Sequence, residues 1–423
     1  MNKLLQIWHD RQLRNKILFV LGLLVVFRLG SHIPVPGINT ANLANFLQSN
    51  QLLGLINIFS GGNISNFSIL ALGVAPYITA SIIIQLLTMI IPQLEELSKE
   101  GEYGQRKITS YTRLLTVPLA LLQSYGLINL LSRSAQNIFV NMTFSHMVVT
   151  MITLTAGTLF LMWLGEIITE QKIGNGVSLL IFAGIIAGLP AMLQGAIVTF
   201  DSANILNLIL FAGIAIATIV GVVLITEAQR NIPVSYARQV RGMRVYGGFD
   251  SHLPLRLNMA GVIPIIFAIS IILFPPLIAQ FFQSARTAFI RAIATWVVTV
   301  FQNQTFYGIM YFLLVVGFTY FYTAIIFHPD KISESLQKQG GFVPGHRPGP
   351  PTAQYLLYVT NRIMLAGALF LGVIAVLPII VQTFTGSQSL VVGGTSLLIV
   401  VSVVIETVKQ IEAQITTREY EAY

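Results

Sequence analysis

Apolar residues in this chain are gathered into long runs, not into the short amphipathic stretches of a water-soluble protein. A backbone in hydrocarbon must satisfy its own hydrogen bonds, so an apolar run of about 20 residues predicts a membrane-spanning helix. Ten such runs occur, at residues 17–33, 69–91, 114–131, 147–164, 177–198, 205–225, 259–281, 306–327, 363–380 and 390–408. The pattern predicts an all-α polytopic membrane protein with ten spans.

Two apolar stretches, 17–33 and 288–301, can each be interpreted in more than one way. The run 17–33 follows several basic residues and resembles a signal peptide. It has no small-residue cleavage site and is followed by further spans, so we interpret it as an uncleaved first helix. The stretch 288–301 contains Arg291 and would be an eleventh span. An eleventh crossing would put the basic loops before and after it on opposite sides, so we predict an external interfacial helix.

Composition and charge position support this topology. Hydrophobic residues make up 54% of the 423-residue chain and charged residues 9%, against about 25% in a soluble domain. The net charge of +8 would also suit a nucleic-acid binder. With alternate loops on opposite sides, twenty Lys and Arg residues share one side, the other receives Arg133, Arg286 and Arg291, and Arg28 lies in the first span. The positive-inside rule therefore predicts cytoplasmic termini.

The connection between the first two runs has an unusual composition. Residues 34–72 contain no Asp, Glu, Lys or Arg, although they contain seven Asn residues and the pair Gly61-Gly62. An uncharged segment can lie at membrane depth inside a protein cavity without desolvating a charge. The alternative is a neutral external loop, although surface loops are usually polar and often charged.

Two short motifs recur five spans apart. Gly-Val-x-Pro occurs at 73–76 and 261–264, and Gly-x-Ser-Leu-Leu-Ile occurs at 176–181 and 394–399. Because five is odd, the two copies of each motif must run in opposite directions through the bilayer. The matching order predicts an inverted five-plus-five repeat, an arrangement that places a translocation path between the two halves.

The predicted path contains no group for covalent chemistry. The chain has no cysteine, no nucleotide-binding Gly-x-x-x-x-Gly-Lys-Ser/Thr loop and no zinc-binding His-Glu-x-x-His sequence. The spans also lack a Ser-His or paired-Asp constellation, which argues against an intramembrane enzyme. We therefore predict that the protein is not an enzyme and that it uses no cofactor or metal.

Ionisable residues are absent from the middle of the spans. Glu166, Glu227 and Glu406 lie toward cytoplasmic ends. An ion-coupled transporter usually keeps an acid, His or Lys at mid-membrane, whereas an aliphatic path fits a hydrophobic constriction. The pattern favours a channel, and a secondary transporter or flippase with the same repeat remains the alternative.

Neutral polar residues also lie in or next to the predicted spans, and three of these are Asn258, Gln85 and Gln123. We expect these three side chains to form hydrogen bonds between helices.

Several longer motifs resemble those of the SecY family, the channel subunits of the bacterial Sec translocon. They lie at residues 59–62, 71–87, 160–166, 173–176, 258–264, 342–349 and 393–399, and the likeness extends from about Arg11 to the end of the chain. The resemblance implies an hourglass pore between two five-helix halves. It also implies a channel that translocates unfolded polypeptides across the bacterial cytoplasmic membrane and releases transmembrane segments sideways into it.

The resemblance also implies a division of the chain and a set of partners. The divisions are a cytoplasmic N-terminus 1–16, an N-terminal half 17–198, a C-terminal half 199–410 with cytoplasmic loops 228–258 and 328–354, and a cytoplasmic tail 411–423. The implied partners are SecE and SecG subunits, the SecA motor ATPase, the ribosome, signal-bearing polypeptides and membrane lipids. The implied lateral gate lies between helices two and three on one side and seven and eight on the other.

Three groups of site residues follow from the resemblance. The implied pore ring consists of Val74, Ile78, Val177, Ile181, Ile266 and Ile399. The implied plug covers about 56–67 and includes Ile56, Asn57, Phe59, Gly61, Gly62 and Phe67. The implied SecA and ribosome contacts are Arg238, Arg241, Arg244, Arg256 and Arg347. Many bacterial members have two adjacent arginines where this chain has Met243-Arg244, so one expected contact is missing.

Overall fold

The structure is a computed structural model. It describes residues 10–39, 42–43, 57, 60, 62–132, 138–139, 143–198, 205–236, 239–241, 244–246, 250–283, 287–385 and 388–421. Most of these residues are helical, and their order along the chain follows the predicted division into two halves.

The N-terminal half contributes six described helices. They are α1 (Arg11–Gly30), α2 (Ala75–Ile90), α3 (Pro92–Lys99), α4 (Glu102–Ser132), α5 (Phe144–Glu170) and α6 (Gly176–Val198). The axes of α2 and α3 differ in direction by 102°. Ile91 has an extended backbone between them, because a residue that precedes proline disfavours the helical conformation.

The C-terminal half contributes seven described helices and five strands. The helices are α7 (Ile205–Glu227), α8 (Ile263–Phe282), α9 (Ala288–Gln302), α10 (Gln304–Ile326), α11 (Pro329–Lys338), α12 (Pro350–Thr385) and α13 (Gln388–Glu421). The strands are β1 (Gln229–Tyr236), β2 (Gln239–Arg241), β3 (Arg244–Tyr246), β4 (Asp250–Arg256) and β5 (Gly341–Phe342).

Each of the ten predicted runs coincides with one of these helices, and 288–301 coincides with the separate helix α9. Within the described residues, four helices are long and apolar enough to cross a membrane, or five if the bent pair α2 and α3 is one span. The chain is therefore a multi-pass helical membrane protein, and the count of ten spans stays a prediction.

The start of α2 differs from the start of the apolar run that predicted it. The second run begins at residue 69, but α2 begins at Ala75 because Gly73 has a φ of 60° and ends the preceding turn. The first copy of Gly-x-Ser-Leu-Leu-Ile opens α6 at Gly176, whereas the second copy lies inside α13, which begins at Gln388. Hydropathy depends on how apolar the residues are and carries no information about backbone conformation, so it places the start of α2 too early.

The repeated Gly-Val-x-Pro motif folds in the same way in both halves. Gly73 and Gly261 have φ values of 60° and 64°, in the left-handed region that favours glycine. The valine that follows each glycine is the N-cap of its helix, and each proline lies in the first turn. Proline is favoured there because the first turn needs no donor from it. The two copies are equivalent in structure as well as in sequence.

The two loops of the C-terminal half that were predicted to be cytoplasmic share a small sheet, which the all-α prediction omitted. β1 pairs in antiparallel fashion with β4 and with β5, so the sheet joins the segment before α8 to the segment before α12. Ile232 and Val234 alternate with exposed residues along β1 and are buried on one face. They pack with Leu255, Val343 and Leu356 in a cluster separate from the membrane core. We call this the cytoplasmic unit, after the predicted location of its loops.

Helix α5 packs directly against the turn that precedes α2. A Cβ atom at Gly157 would lie 2.0 Å from the carbonyl oxygen of Ile69 and 3.2 Å from a methyl carbon of Leu70. The first distance is far below van der Waals contact, so this approach requires glycine. The turn therefore depends on the small residue at 157.

We predict that Gly157→Ala lowers the stability of the protein. The added methyl group must displace the backbone at Ile69, and overpacking of this kind costs about 1–3 kcal/mol. Gly22→Ala in α1 is the matched control, because a Cβ there meets no atom within 4 Å. The measurement is the thermal unfolding midpoint in detergent. Equal midpoints for the two variants would contradict the close approach.

Candidate functional site

The six residues of the implied ring meet in the interior of the protein. Val74, Ile78, Ile181, Ile266 and Ile399 are each at most 4% exposed and belong to one hydrophobic cluster. Val177 is half-buried and packs against the same cluster. The six residues come from the N-cap of α2 and from α2, α6, α8 and α13, so both halves contribute. We call these six residues the waist.

Helical spacing places Val74 and Ile78 of the waist on the same face of the chain at the start of α2. Val74 and Ile78 are four residues apart, and the Ile78 amide donates to the Val74 carbonyl at 3.0 Å. In the other half, the Ile266 amide donates to the Val262 carbonyl at 3.3 Å. Residues four apart lie on one face of a helix. The waist therefore consists of equivalent faces from the two copies of the repeat.

The waist lies where the two halves touch. Helices α2 and α4 contact α8, and α6 contacts α13. The described contacts between the halves include these three helix pairs. A relative movement of the halves would thus change the waist directly.

The waist encloses very little space. A cavity of about 10 Å³ beside it has room for about one water molecule. Its walls are formed by Phe27, Ser60, Gly73, Val74, Leu161, Leu180 and Ile181. Ser60 belongs to the implied plug, while Val74 and Ile181 belong to the waist. Ser60 of the implied plug and two residues of the waist therefore line the same small cavity.

The described part of the uncharged segment is held by local hydrogen bonds. The Asn57 carbonyl accepts from the Gly62 amide at 2.7 Å and from the Ser60 hydroxyl at 2.8 Å. The Asn57 side-chain oxygen accepts from the Ser65 amide at 3.0 Å, and the Asn63 side-chain amide donates to the Ser60 carbonyl. These bonds use no charged side chain, and the Asn63 side-chain oxygen is buried without a hydrogen-bond partner among the described residues.

The same segment lies inside the protein. Asn63, Ile64, Phe67 and Ser68 have 0% exposure, and Phe67 contacts Phe139 edge to face with 5.8 Å between ring centroids. An exposed neutral loop, the alternative interpretation, does not describe these residues. Ile56, Phe59 and Gly61 lie outside the described residues.

Arg347 lies exposed at the tip of the cytoplasmic unit. Its carbonyl accepts from the Thr352 hydroxyl at 2.7 Å, and the preceding His346 ring stacks on Tyr355 at 4.0 Å between centroids. The buried Ser333 hydroxyl donates to the Gly349 carbonyl at 2.6 Å. The guanidinium is thus presented to solvent from a fixed turn.

The other predicted basic residues have less uniform positions. Arg256 ends β4, is exposed and pairs across the ladder with Gln229. Arg241 and Arg244 face each other in the hairpin of β2 and β3. Arg238 lies outside the described residues. Sequence analysis missed the sheet beneath these residues, although the alternation in 232–234 was a usable signal for a half-buried strand.

The predicted hydrogen bonds between helices are wrong for two of the three polar residues. Asn258 bonds within its own turn, where it donates to the Gly261 carbonyl at 3.2 Å and accepts from the Gly261 amide at 2.9 Å. The Gln85 amide donates to the Ser81 hydroxyl in the same helix at 3.1 Å. The Asn258 side chain bonds to free backbone groups of its own turn, and the Gln85 side chain bonds to a hydroxyl one helical turn away. The Gln85 side-chain oxygen is buried without a hydrogen-bond partner among the described residues.

Comparison with known proteins gives a consistent result. The family model for SecY matches residues 68–408. The protein translocase subunit SecY of Streptomyces coelicolor is 45% identical over 432 residues, which cover 97% of each chain. The protein translocase subunit SecY of Corynebacterium glutamicum is 43% identical over 442 residues, which cover 100% of this chain and 99% of the relative.

Solved structures share the fold. A protein-conducting channel matches with a TM-score of 0.65 and 17% identity over 94% of this chain and 91% of the other. A SecY structure, described by a plug domain that stabilises the closed state and maintains a membrane seal, matches with a TM-score of 0.63 and 18% identity, over 92% and 90% of the chains. Sec61 from a canine ribosome–channel complex matches at 0.63 and 17% identity, over 94% and 91%.

We predict that Ile78→Asn and Ile181→Asn each make the resting protein leak ions. A polar side chain at the waist hydrates a constriction that is otherwise apolar, and hydration opens a path for ions. The measurement is conductance in planar lipid bilayers, where both variants should show steps that the wild-type protein lacks.

Ile78→Val is the matched control for the leak, because it shortens the side chain by one methylene and keeps it aliphatic. It should remain closed. Wild-type conductance in both Asn variants would count against a seal at the waist.

Proposed function

Because this chain belongs to the SecY family, we propose that it is the central subunit of a protein-conducting channel. The channel moves unfolded polypeptides across the cytoplasmic membrane and releases apolar segments sideways into the lipid. The observation that carries this function is the waist, a set of aliphatic side chains from both halves with a plug segment beside it.

Aliphatic side chains suit a pore that must pass many different sequences. Such side chains form no hydrogen bonds, so they do not hold one substrate sequence more strongly than another. They pack around an extended chain by dispersion contacts, which are weak individually and sum over a close fit. When the pore is empty, the same side chains pack on one another and exclude water.

The plug completes the resting seal in this proposal. The described residues between Asn57 and Gly73 are uncharged, several of them hydrogen-bond to one another, and Ser60 and Gly73 line the cavity beside the waist. A segment of this kind can leave the interior without breaking an ion pair. Its movement requires no proton transfer and no loss of a charged partner.

The lateral exit is proposed at the contact of α2 and α4 with α8, with α10 next to α8. Opening there would expose a segment in transit to lipid. A central Leu or Ile then gains about 0.3–0.6 kcal/mol, whereas a central Lys or Asp costs about 2.5–3.5 kcal/mol. Partition between pore and lipid separates membrane segments from secreted ones.

The basic cytoplasmic surface is the proposed docking site for the partners that drive transport. SecE and SecG are the proposed accessory subunits, and the SecA motor and the ribosome are the proposed drivers. Arg347 is fixed at the tip of the cytoplasmic unit, and Arg256 is exposed on the neighbouring strand. The loops 228–258 and 328–354 share one sheet, so a partner bound at the tip lies next to the segment that leads into α8.

The orientation of the chain follows from the same proposal. Both termini lie in the cytoplasm, on the side that carries twenty of the 24 basic residues. Segments 1–16 and 411–423 are then cytoplasmic, and 56–67 lies on the external side of the waist. Helix α13 continues to Glu421, beyond the apolar run that ends at residue 408.

We predict that Arg347→Glu abolishes SecA-driven export and leaves membrane insertion of the chain itself intact. Reversal of an exposed charge repels an acidic partner and lowers binding about tenfold or more. The assay is export of a secretory precursor into proteoliposomes with purified SecA. Lys331→Glu on α11 is the control, because it reverses an exposed charge in the same unit. Normal export by Arg347→Glu would refute the docking site.

A further inference from the structure

Glu406 is an acidic residue near the waist that the proposed function does not use. It lies on α13, seven residues after the waist residue Ile399. Seven residues are almost two full helical turns, so both residues lie on nearly the same helix face. Glu406 is about 10 Å closer than Ile399 to the cytoplasmic end of the helix.

The carboxylate of Glu406 lies at the start of α8. Its Oε2 atom would be 3.6 Å from a Cβ atom at Gly261, two residues before α8 begins at Ile263. Glu406 also interacts electrostatically with Tyr322 of α10. The positive end of the α8 dipole favours an anion at this position. The carboxylate thus lies between α8, α10 and α13, on the cytoplasmic side of the waist.

No cation of the described residues pairs with Glu406. Lys409 lies one turn further along α13, but its Nζ atom is 2.9 Å from Glu227 Oε1 and donates to the Thr226 carbonyl at 3.1 Å. The other acidic side chain close to a span end, Glu166, is paired with Arg113 at 2.8 Å. Glu406 is half-buried and, within the described residues, has neither an ion pair nor a hydrogen bond of its side chain. A desolvated charge without a partner is costly, so its presence points to a ligand.

We propose that Glu406 binds lysine and arginine side chains of the polypeptide that enters the pore, an inference that rests on the proposed channel function. Signal segments carry basic residues ahead of their apolar run. A carboxylate about two turns below the waist would hold these residues on the cytoplasmic side while the apolar run reaches the waist and the lateral exit. Glu406 is then a specificity-determining residue for the charge of the entering segment.

The test uses the complete channel in proteoliposomes and two precursors that differ only ahead of the apolar signal, where one has three lysines and the other three glutamines. Glu406→Gln should lower the initial transport rate of the lysine precursor about fivefold, the factor that corresponds to loss of one moderately strong ion pair. The rate of the glutamine precursor should stay within about twofold of wild type. Glu406→Asp should retain most of the difference, because it keeps the charge.

Charge reversal makes the test sharper. Glu406→Lys should transport a precursor with three glutamates in the same positions better than the lysine precursor. Glu227→Gln is the matched control, since it removes an acidic group that already binds Lys409, and it should not discriminate between the precursors. An equal loss for both precursors in Glu406→Gln would show a structural role, and no loss would show none. Either result would overturn the proposal.

A second measurement needs no variant. A carbodiimide joins a carboxylate and an amine only when the two are in direct contact. In a stalled precursor–channel complex it should link Glu406 to a lysine of the first precursor and leave the glutamine precursor unlinked. Absence of the link would contradict the proposal. Failure of the wild-type channel to transport either precursor would instead count against the channel function.

Discussion

Contact between aliphatic side chains of the two halves is the interaction on which the rest of the structure depends. The waist residues come from four helices and form one buried cluster, and no hydrogen bond or ion pair is needed to hold their side chains together. Such contact is lost and regained over short distances, because dispersion falls steeply with separation. The hydrogen bonds that hold the backbone of the loops in place lie away from the waist, in the turns before α2 and α8 and in the cytoplasmic unit.

The inverted repeat explains how one chain produces this contact twice. Gly73 and Gly261 hold the same backbone conformation, and each is followed by an N-cap valine and a first-turn proline. The two helices therefore begin with equivalent geometry and point equivalent residues, Ile78 and Ile266, at the interface. Glu406 departs from this symmetry. The matching position of the N-terminal half, seven residues after Ile181, is the uncharged Gly188, and because the repeat is inverted it lies on the opposite side of the waist from Glu406.

The sequence was sufficient for the elements that lipid determines. Apolar runs located ten helices, and motif recurrence identified the repeat, because both are direct consequences of the solvent and the topology. The start of α2 and the bonds of Asn258 were missed since backbone conformation and local capping leave no trace in hydropathy. The sheet of the cytoplasmic unit was missed because its strands are short and one of them, β5, has two residues. The assignment of the ring, plug and basic contacts came from family resemblance and remains a set of predictions.

The pairing of β1 with both β4 and β5 restricts how these loops can vary in length. Side chains alternate between the faces of a strand, so a single inserted residue in β1 would turn Ile232 and Val234 outward and disrupt the register with both partners. The hairpin of β2 and β3 pairs only within itself among the described strands. Insertions and deletions should therefore accumulate around that hairpin and avoid residues 229–236, even though both segments belong to the same connection between α7 and α8.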